Sequence, residues 1–414
     1  MVEVPIAPTA GTSRAHLGIE IVARVVLVTF SALVLPHVFP ADVSHFRDLA
    51  DCMVGPSHQT LQHLCNAKHF GISRLGTGFN LPYRSVLFEF PPAPLLTLPL
   101  VGRWIGPRWV ARIVFGCVMA ALELTALEQL RRAWPQHRRD LTVWWSVSVI
   151  PVALLAWFRF DFMAVLFATI ALVGLETGRK RTVAIVLGWL SKLWPAVIIA
   201  GLVVRRRWRD AGEAAVAIGV VTVVWYALAP KGFHKFLEYR AGKGLEIESL
   251  FASVQFLNVH GHAKGVSGAW VINGGSYTWA NPVFTALLVV FTLGALWRAW
   301  EPGSDVVALC GAITVASMLF SRILSAQYVV WPAPFAVLLA ARGNRSVGWS
   351  YALSGWLTFA YLLWFDHAMI PGNRLLQGVV LARNLCLLWL MVELFLAIRP
   401  ANVRSPERLA DPVG

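Results

Sequence analysis

Residues 179–209 read RKRTVAIVLGWLSKLWPAVIIAGLVVRRRWR, an apolar run with basic clusters at both ends and Lys-Leu-Trp-Pro near its middle. Basic clusters that flank apolar segments mark the cytoplasmic side of a membrane. Both ends of this run are therefore expected on that side, and the chain between them must enter the bilayer and come back. Pro195 supplies the break, since it lacks an N–H and clashes with the preceding helical turn. Lys192 is then a lone ammonium at bilayer depth, where a charge costs at least about 2.5 kcal/mol on insertion scales. It needs an anionic partner, for which a lipid phosphate or Asp161 would serve.

The rest of the chain repeats this pattern. Of its 414 residues, 57% are hydrophobic and 14% charged, with 19 Trp and 23 Phe, whereas a soluble domain carries about 25% charged residues. That balance excludes a soluble enzyme, a disulfide-rich toxin and a disordered chain. With about 20 apolar residues needed to cross a core of roughly 30 Å, the candidate spans are 17–39, 88–104, 109–130, 141–157, 161–177, 182–203, 212–229, 279–299, 305–321, 325–341, 348–365 and 379–398. The first contains Glu20 and Arg24 and no small-residue cleavage site, so it reads as a membrane helix rather than a signal sequence. No linker or internal repeat divides the chain, so 1–414 reads as one integral membrane domain with disorder expected only at about 1–14 and 400–414. The expected fold class is an all-α polytopic bundle of about 11–13 transmembrane helices, some short or broken, with large extracytoplasmic loops at 40–87 and 230–278.

The net charge of +14 is spread in short clusters, Arg131/Arg132/Arg138/Arg139, Arg342/Arg345 and Arg399/Arg404/Arg408 among them. It reads as a topology signal and not as a nucleic-acid surface. Parity then puts Arg159, Asp161, the 322–327 turn and the 230–278 loop on the outer side. One conflict follows: 88–104 and 109–130 cannot both be simple crossings if 40–87 is outside and Arg131 inside.

Unusual chemistry collects on the outer side. Asp42, Asp48 and Asp51 follow the first span, and Lys231, Lys235, Arg240, Lys243 and Lys264 break the charge bias of the other loops. Such cations bind phosphate, Arg as a fork and Lys as a point charge, and either a lipid phosphate substrate or plain anionic headgroups would satisfy them. His260 and His262 lack the accompanying carboxylates or thiols of a metal site, and no Gly-rich phosphate loop occurs, so neither metal nor cofactor is expected. Cys52 and Cys65 share the first outer loop and are expected to form a disulfide, worth about 3 kcal/mol for a loop of roughly 15 residues. Cys117, Cys310 and Cys386 lie in or near spans and read as packing residues.

Several short patterns recur in a fixed order: Asp42-Val-Ser-His-Phe46, Pro82-Tyr-Arg84, Phe88-Glu-Phe-Pro-Pro92, Arg159-Phe-Asp161, Lys192-Leu-Trp-Pro195, Gly244-Leu-Glu-Ile-Glu-Ser249 and Leu324-Ser-Ala-Gln-Tyr-Val-Val-Trp331. In order and spacing the chain resembles glycosyltransferase family 87, polyprenol-phosphate-sugar-dependent enzymes of the GT-C membrane fold, phosphatidylinositol mannoside mannosyltransferases among them. It departs from the family pattern with Phe46 where Tyr is usual and Ala326 where Pro is frequent.

The resemblance implies inverting transfer of a mannosyl residue from polyprenyl-phosphate-mannose to a glycolipid acceptor, of phosphatidylinositol mannoside or lipoglycan type, on the outer face of a bacterial plasma membrane. Arabinofuranose transfer from a polyprenyl-phosphate donor is the alternative within the family. It implies Asp42 as the catalytic base, with Asp48 and Asp51 as the other candidates, and membrane lipids, donor and acceptor as partners without nucleic acid. Arg240, Lys243 and Lys192 are the expected phosphate ligands. Glu89, Arg159, Asp161, Glu248, Ser249 and Gln327 are the expected sugar and acceptor contacts, with Glu246, Arg322, Arg383 and Asn384 nearby in the same pattern. Against these stand plainer roles: a helix-end acid for Asp42, a mutual ion pair for Arg159 and Asp161, and an interfacial belt for Trp270, Tyr277 and Trp279. A reading from another class is a transporter or flippase, which the intramembrane Glu20, Arg24, Glu123 and Glu393 favour and the missing repeat opposes. A noncatalytic assembly subunit is a third.

Overall fold

Inside hydrocarbon a backbone must satisfy its N–H and C=O groups within its own segment, so the apolar runs become helices. The computed structural model describes residues 10–34, 41–54, 82–83, 88, 90–177, 180–242, 244–258, 263–266, 269–272, 279–363 and 373–399; of these, the side chains of 10–15, 41–42, 176–177, 239–242, 256–258, 263–266 and 269 are not described. The chain is an all-α polytopic membrane protein. The helices are α1 (Ala10–Val34), α2 (Ala41–Val54), α3 (Arg108–Ala133), α4 (Arg138–Ser148), α5 (Ile150–Ala156), α6 (Asp161–Thr177), α7 (Arg181–Lys192), α8 (Ile198–Val204), α9 (Trp208–Leu228), α10 (Pro230–Gly242), α11 (Leu250–Asn258), α12 (Ala280–Ala299), α13 (Val306–Leu319), α14 (Ala333–Ala341), α15 (Arg345–Leu363) and α16 (Arg374–Ala397). A two-stranded antiparallel hairpin, β1 (Ala263–Val266) and β2 (Ala269–Ile272), stands between α11 and α12. α1 begins inside the stretch expected to be disordered.

Among the described residues, five helices are long and apolar enough to cross a membrane, and α4 with α5, bent by 59°, would make a sixth. Shorter apolar helices supply the rest of the bundle, which accounts for the difference from the larger number of spans expected. One of them replaces the expected crossing at 88–104. Here the chain forms 3₁₀ segments, Ala93–Leu100 and Arg103–Ile105. Pro91, Pro92, Pro94 and Pro99 remove the donors an α-helix would use, and eight residues at about 2.0 Å each fall far short of a roughly 30 Å core. Without that crossing the parity conflict disappears, because α3 crosses alone.

The hairpin read from 179–209 is present. α7 ends at Lys192, Leu193 takes φ 56°, and a 3₁₀ turn at Trp194–Val197 leads into α8. Positive φ at a non-glycine residue costs of order 1–3 kcal/mol, here imposed by the reversal. A Cβ on Gly188 would come 2.6 Å from the Pro195 Cβ, so only glycine lets the two arms close. Both ends of the hairpin meet on one carboxylate: Arg181 Nη2 lies 2.7 Å from Asp210 Oδ1, and Arg207 Nε 2.6 Å from Oδ2.

The intramembrane charges of α1 and α3 are spent on each other. Arg24 forks onto Glu123, Nε to Oε2 at 2.8 Å and Nη2 to Oε1 at 2.9 Å, and the Trp145 indole N–H donates to Glu123 Oε1 at 2.6 Å. Below it, Arg131 Nη1 donates to Glu20 Oε2 at 2.9 Å. Breaking one side of a buried pair costs about 3–5 kcal/mol, while replacing both partners by apolar residues is often neutral. Glu123→Gln is therefore expected to lower the melting temperature of the purified protein, and the Arg24→Leu, Glu123→Leu double variant to recover most of the loss. A double variant as unstable as the single would show that the pair is not the cause.

Candidate active site

Asp161 opens α6 and Lys192 closes α7, and the packing of these two helices brings the residues together. Each charge suits its helix end, an acid at the N-terminus and a base at the C-terminus. Lys192 Nζ stands 3.5 Å from Asp161 Oδ1. The same oxygen accepts from the Trp331 indole N–H at 2.7 Å. Trp331 in turn stacks on Trp194 with ring centroids 5.6 Å apart, so the contacts close on the turn that follows Lys192. The ammonium is also 5.4 Å from the Phe90 ring centroid and 5.3 Å from that of Tyr328, cation–π contacts worth about 0.5–2 kcal/mol each.

Burial divides the labour within the pair. Asp161 is 0% exposed, whereas Lys192 is 7% exposed and lines a cavity of about 650 Å³. The carboxylate holds the ammonium from the buried side. Phe284, Ile313, Met318, Phe320 and Ile323 form apolar wall, Asn281, Thr285, Thr314, Ser317 and Ser321 add small polar groups, and Arg322 brings a second cation. Burial draws the Arg322 guanidinium below its ordinary pKa, yet an arginine stays charged at any working pH. α12 forms one flank, and its Val283, Val289, Val290 and Leu293 face outward, so the cavity borders on hydrocarbon. An amphiphile with an anionic head and an apolar tail matches this lining.

Arg159, in the turn between α5 and α6, connects this pair to the 244–249 loop. Burial pulls its pKa down, against the opposing pull of Asp161, Tyr328, Glu248 and Glu246. The loop is fixed on three sides. Ile247 N donates to Trp270 O and Ile272 N to Leu245 O, each at 3.0 Å, while Glu246 N donates to Arg322 O at 3.0 Å. Ser325 Oγ donates to Glu246 Oε1 at 3.1 Å. The Glu248 carboxylate accepts from the Tyr361 hydroxyl and lies 3.7 Å from Arg383 Nη1, and its carbonyl accepts from Arg383 Nη2 at 2.6 Å and Asn384 Nδ2 at 3.1 Å. Ser249 Oγ accepts from Ala252 N at 3.3 Å and caps α11. Glu248 and Ser249, expected to contact sugar, are thus engaged in tying the loop to α15, α16 and α11. Gln327 is buried in the 3₁₀ segment Ala326–Val330.

Asp42 stands in the first turn of α2, one turn before Phe46; its side chain is outside the described ones. Phe46 packs on Phe160 with centroids 4.2 Å apart, and on Phe90 and Phe115, which docks α2 beside the Arg159–Asp161 turn. Asp48 is half-buried on the same helix. Asp51 Oδ1 accepts from the Arg103 backbone N–H at 3.0 Å and Oδ2 is 4.0 Å from Arg47 Nε, a tie between α2 and the 3₁₀ segment. Arg240 lies on α10 with its side chain outside the described ones. Glu89, Lys243, His260, His262, Tyr277 and Cys65 lie outside the described residues. Cys52 is disulfide-bonded, and Cys117, Cys310 and Cys386 are free.

Sequence reasoning does not single out Trp331 and Tyr361 as holders of carboxylates. A buried polar-tipped aromatic usually finds a hydrogen-bond partner, but with 19 Trp in the chain that signal is too common to pick out these two.

A sequence model of glycosyltransferase family 87 matches residues 90–326, more than half of the chain. No curated protein matches it. The matched region contains Phe90, Arg159, Asp161, Lys192, Glu246, Glu248 and Arg322, and it stops just before Gln327.

Proposed function

The chain belongs to glycosyltransferase family 87, and from that premise we propose that it transfers mannose, with inversion, from polyprenyl-phosphate-mannose to a lipid-linked glycan acceptor on the outer face of a bacterial plasma membrane. The observation that carries the reading is the cavity beside Lys192, where Lys192 and Arg322 stand among apolar and small polar side chains, with one flank that borders on the bilayer. A polyprenyl phosphate has that division of character. As transfer proceeds, the acceptor oxygen bonds to the anomeric carbon while a base takes its proton. The anomeric carbon–oxygen bond breaks with its electron pair going to the phosphate, which leaves as polyprenyl phosphate with one more negative charge. Asp42 is the proposed base, and Lys192, Arg240 and Lys243 the cations that meet the growing charge. No metal or cofactor is needed for this chemistry.

Of the four charges that favour a transporter, Glu20, Arg24 and Glu123 are held in side-chain pairs between α1 and α3, and Glu393 accepts from the Trp389 indole N–H on its own helix, which supports a structural role for them. The test is sugar transfer itself: membranes containing the protein should move labelled mannose from the polyprenyl phosphate to a phosphatidylinositol mannoside, and membranes lacking it should not. Labelled arabinofuranose moving instead would replace the sugar, and no movement of either would overturn the reading. Arg240→Gln with Lys243→Gln is expected to slow turnover by about a hundredfold or more, the scale of losing one stabilising donor; a double variant with wild-type rates would remove both residues from the phosphate site.

A further inference from the structure

A second cavity, of about 560 Å³, shares no lining residue with the first. Its walls are Leu95 of the 3₁₀ segment, Leu190 of α7, and Val221, Val224, Trp225 and Leu228 of α9, with Pro82 and Tyr83 beside them. Among the described residues, no charged side chain lines it. The Tyr83 hydroxyl is already donated to the Phe90 carbonyl. A Cβ on Gly232 would come 2.2 Å from the Tyr83 carbonyl oxygen, so α10 is seated directly on this wall. α9 turns Val216, Val220, Val223, Val224 and Leu228 outward, and it is one of the long apolar spans, so the groove opens to hydrocarbon. Its occupant has to come from the bilayer and has to be an apolar chain.

The groove adjoins the elements that carry the Lys192 pair: Leu190 lines it from another face of α7 than Lys192, and Pro92 lines it two residues after Phe90, whose ring lies under the Lys192 ammonium. Two lipid-anchored molecules can react head to head only if each has its own way in from the bilayer. The cavity with Lys192 and Arg322 suits the phosphate-bearing one. We infer that the second groove takes an acyl chain of the lipid-anchored acceptor, an inference that rests on the lipid-to-lipid transfer proposed above.

Two photoreactive probes in vesicles holding the full-length protein separate the possibilities: a phosphatidylinositol mannoside with a diazirine at the end of one acyl chain, and a polyprenyl phosphate with a diazirine in its tail. The acyl probe should label peptides of α9, and the polyprenyl probe those of α12 and α13. Val224→Trp, a change at a half-exposed position on the groove wall, should cut the acyl labelling about tenfold and raise the KM for acylated acceptor by a similar factor, with KM for the donor and the rate with a deacylated, water-soluble acceptor unchanged. Labelling of α9 by the polyprenyl probe, or acyl labelling and acceptor KM that ignore Val224→Trp, would overturn the inference. If the wild-type protein labels as expected but transfers no sugar, the transferase reading fails and the groove assignment stands.

Discussion

Asp42→Asn is expected to leave folding and donor binding near wild type and to reduce turnover by at least about a hundredfold, the smallest factor a positioned general base contributes. Asn keeps the shape of Asp and cannot take a proton. The position supports the role: Asp42 lies in the first turn of α2, and Phe46, one turn on, is packed against Phe160, next to Asp161. The proposed base is thus carried by a helix docked beside the Arg159–Asp161 turn. Initial rates with labelled donor, beside a melting curve, decide the matter. Normal transfer by Asp42→Asn with an inactive Asp48→Asn or Asp51→Asn would move the role along the helix, and activity in all three would end the carboxylate-base mechanism on α2. Asp51→Asn carries its own expectation of lost stability, because its carboxylate is tied to Arg103 and Arg47.

Lys192→Met should be nearly as damaging, for two separable reasons. It removes a cation from the cavity, with an expected loss of about a hundredfold to a thousandfold in turnover. It also leaves Asp161 buried without its ammonium, which costs about 3–5 kcal/mol when one member of a buried pair is deleted. The Lys192→Met, Asp161→Asn double variant should regain much of the stability and none of the activity. Asp161→Asn alone keeps the cation, so its loss should show in how Lys192 is positioned: a higher KM for donor with a smaller change in kcat. Recovery of transfer in the double variant would make Lys192 a structural residue and nothing more.

The chain reversal at 181–204 was legible because its signals are local: basic clusters at both ends and a proline in the middle. The demand of Lys192 for an anion was legible for the same reason, since the cost of a charge at bilayer depth depends on position along one segment. The proline-rich stretch at 88–104 was misjudged as a span because a count of apolar residues ignores the donors that proline removes. Glu248 shows the opposite limit. Its acidic, outer-loop setting suggests a sugar contact, and only the folded chain brings Tyr361 and Arg383 to its carboxylate from far along the sequence.

By itself, then, the sequence determined that the chain crosses a membrane many times, where it turns back, and which charges must be compensated, all properties of single segments in a low-dielectric medium. The tertiary structure decided which partners compensate them: Asp161 with Trp331 for Lys192, Glu123 for Arg24, and α16 for the 244–249 loop. It also decided that one cavity is lined by Lys192 and the turn after it and a separate one by Leu190 of the same helix. The physical reason is that helices apolar on every side carry little periodic signal of which face meets which neighbour, so the rotation and crossing of each helix, and hence every contact between distant residues, is set by packing alone.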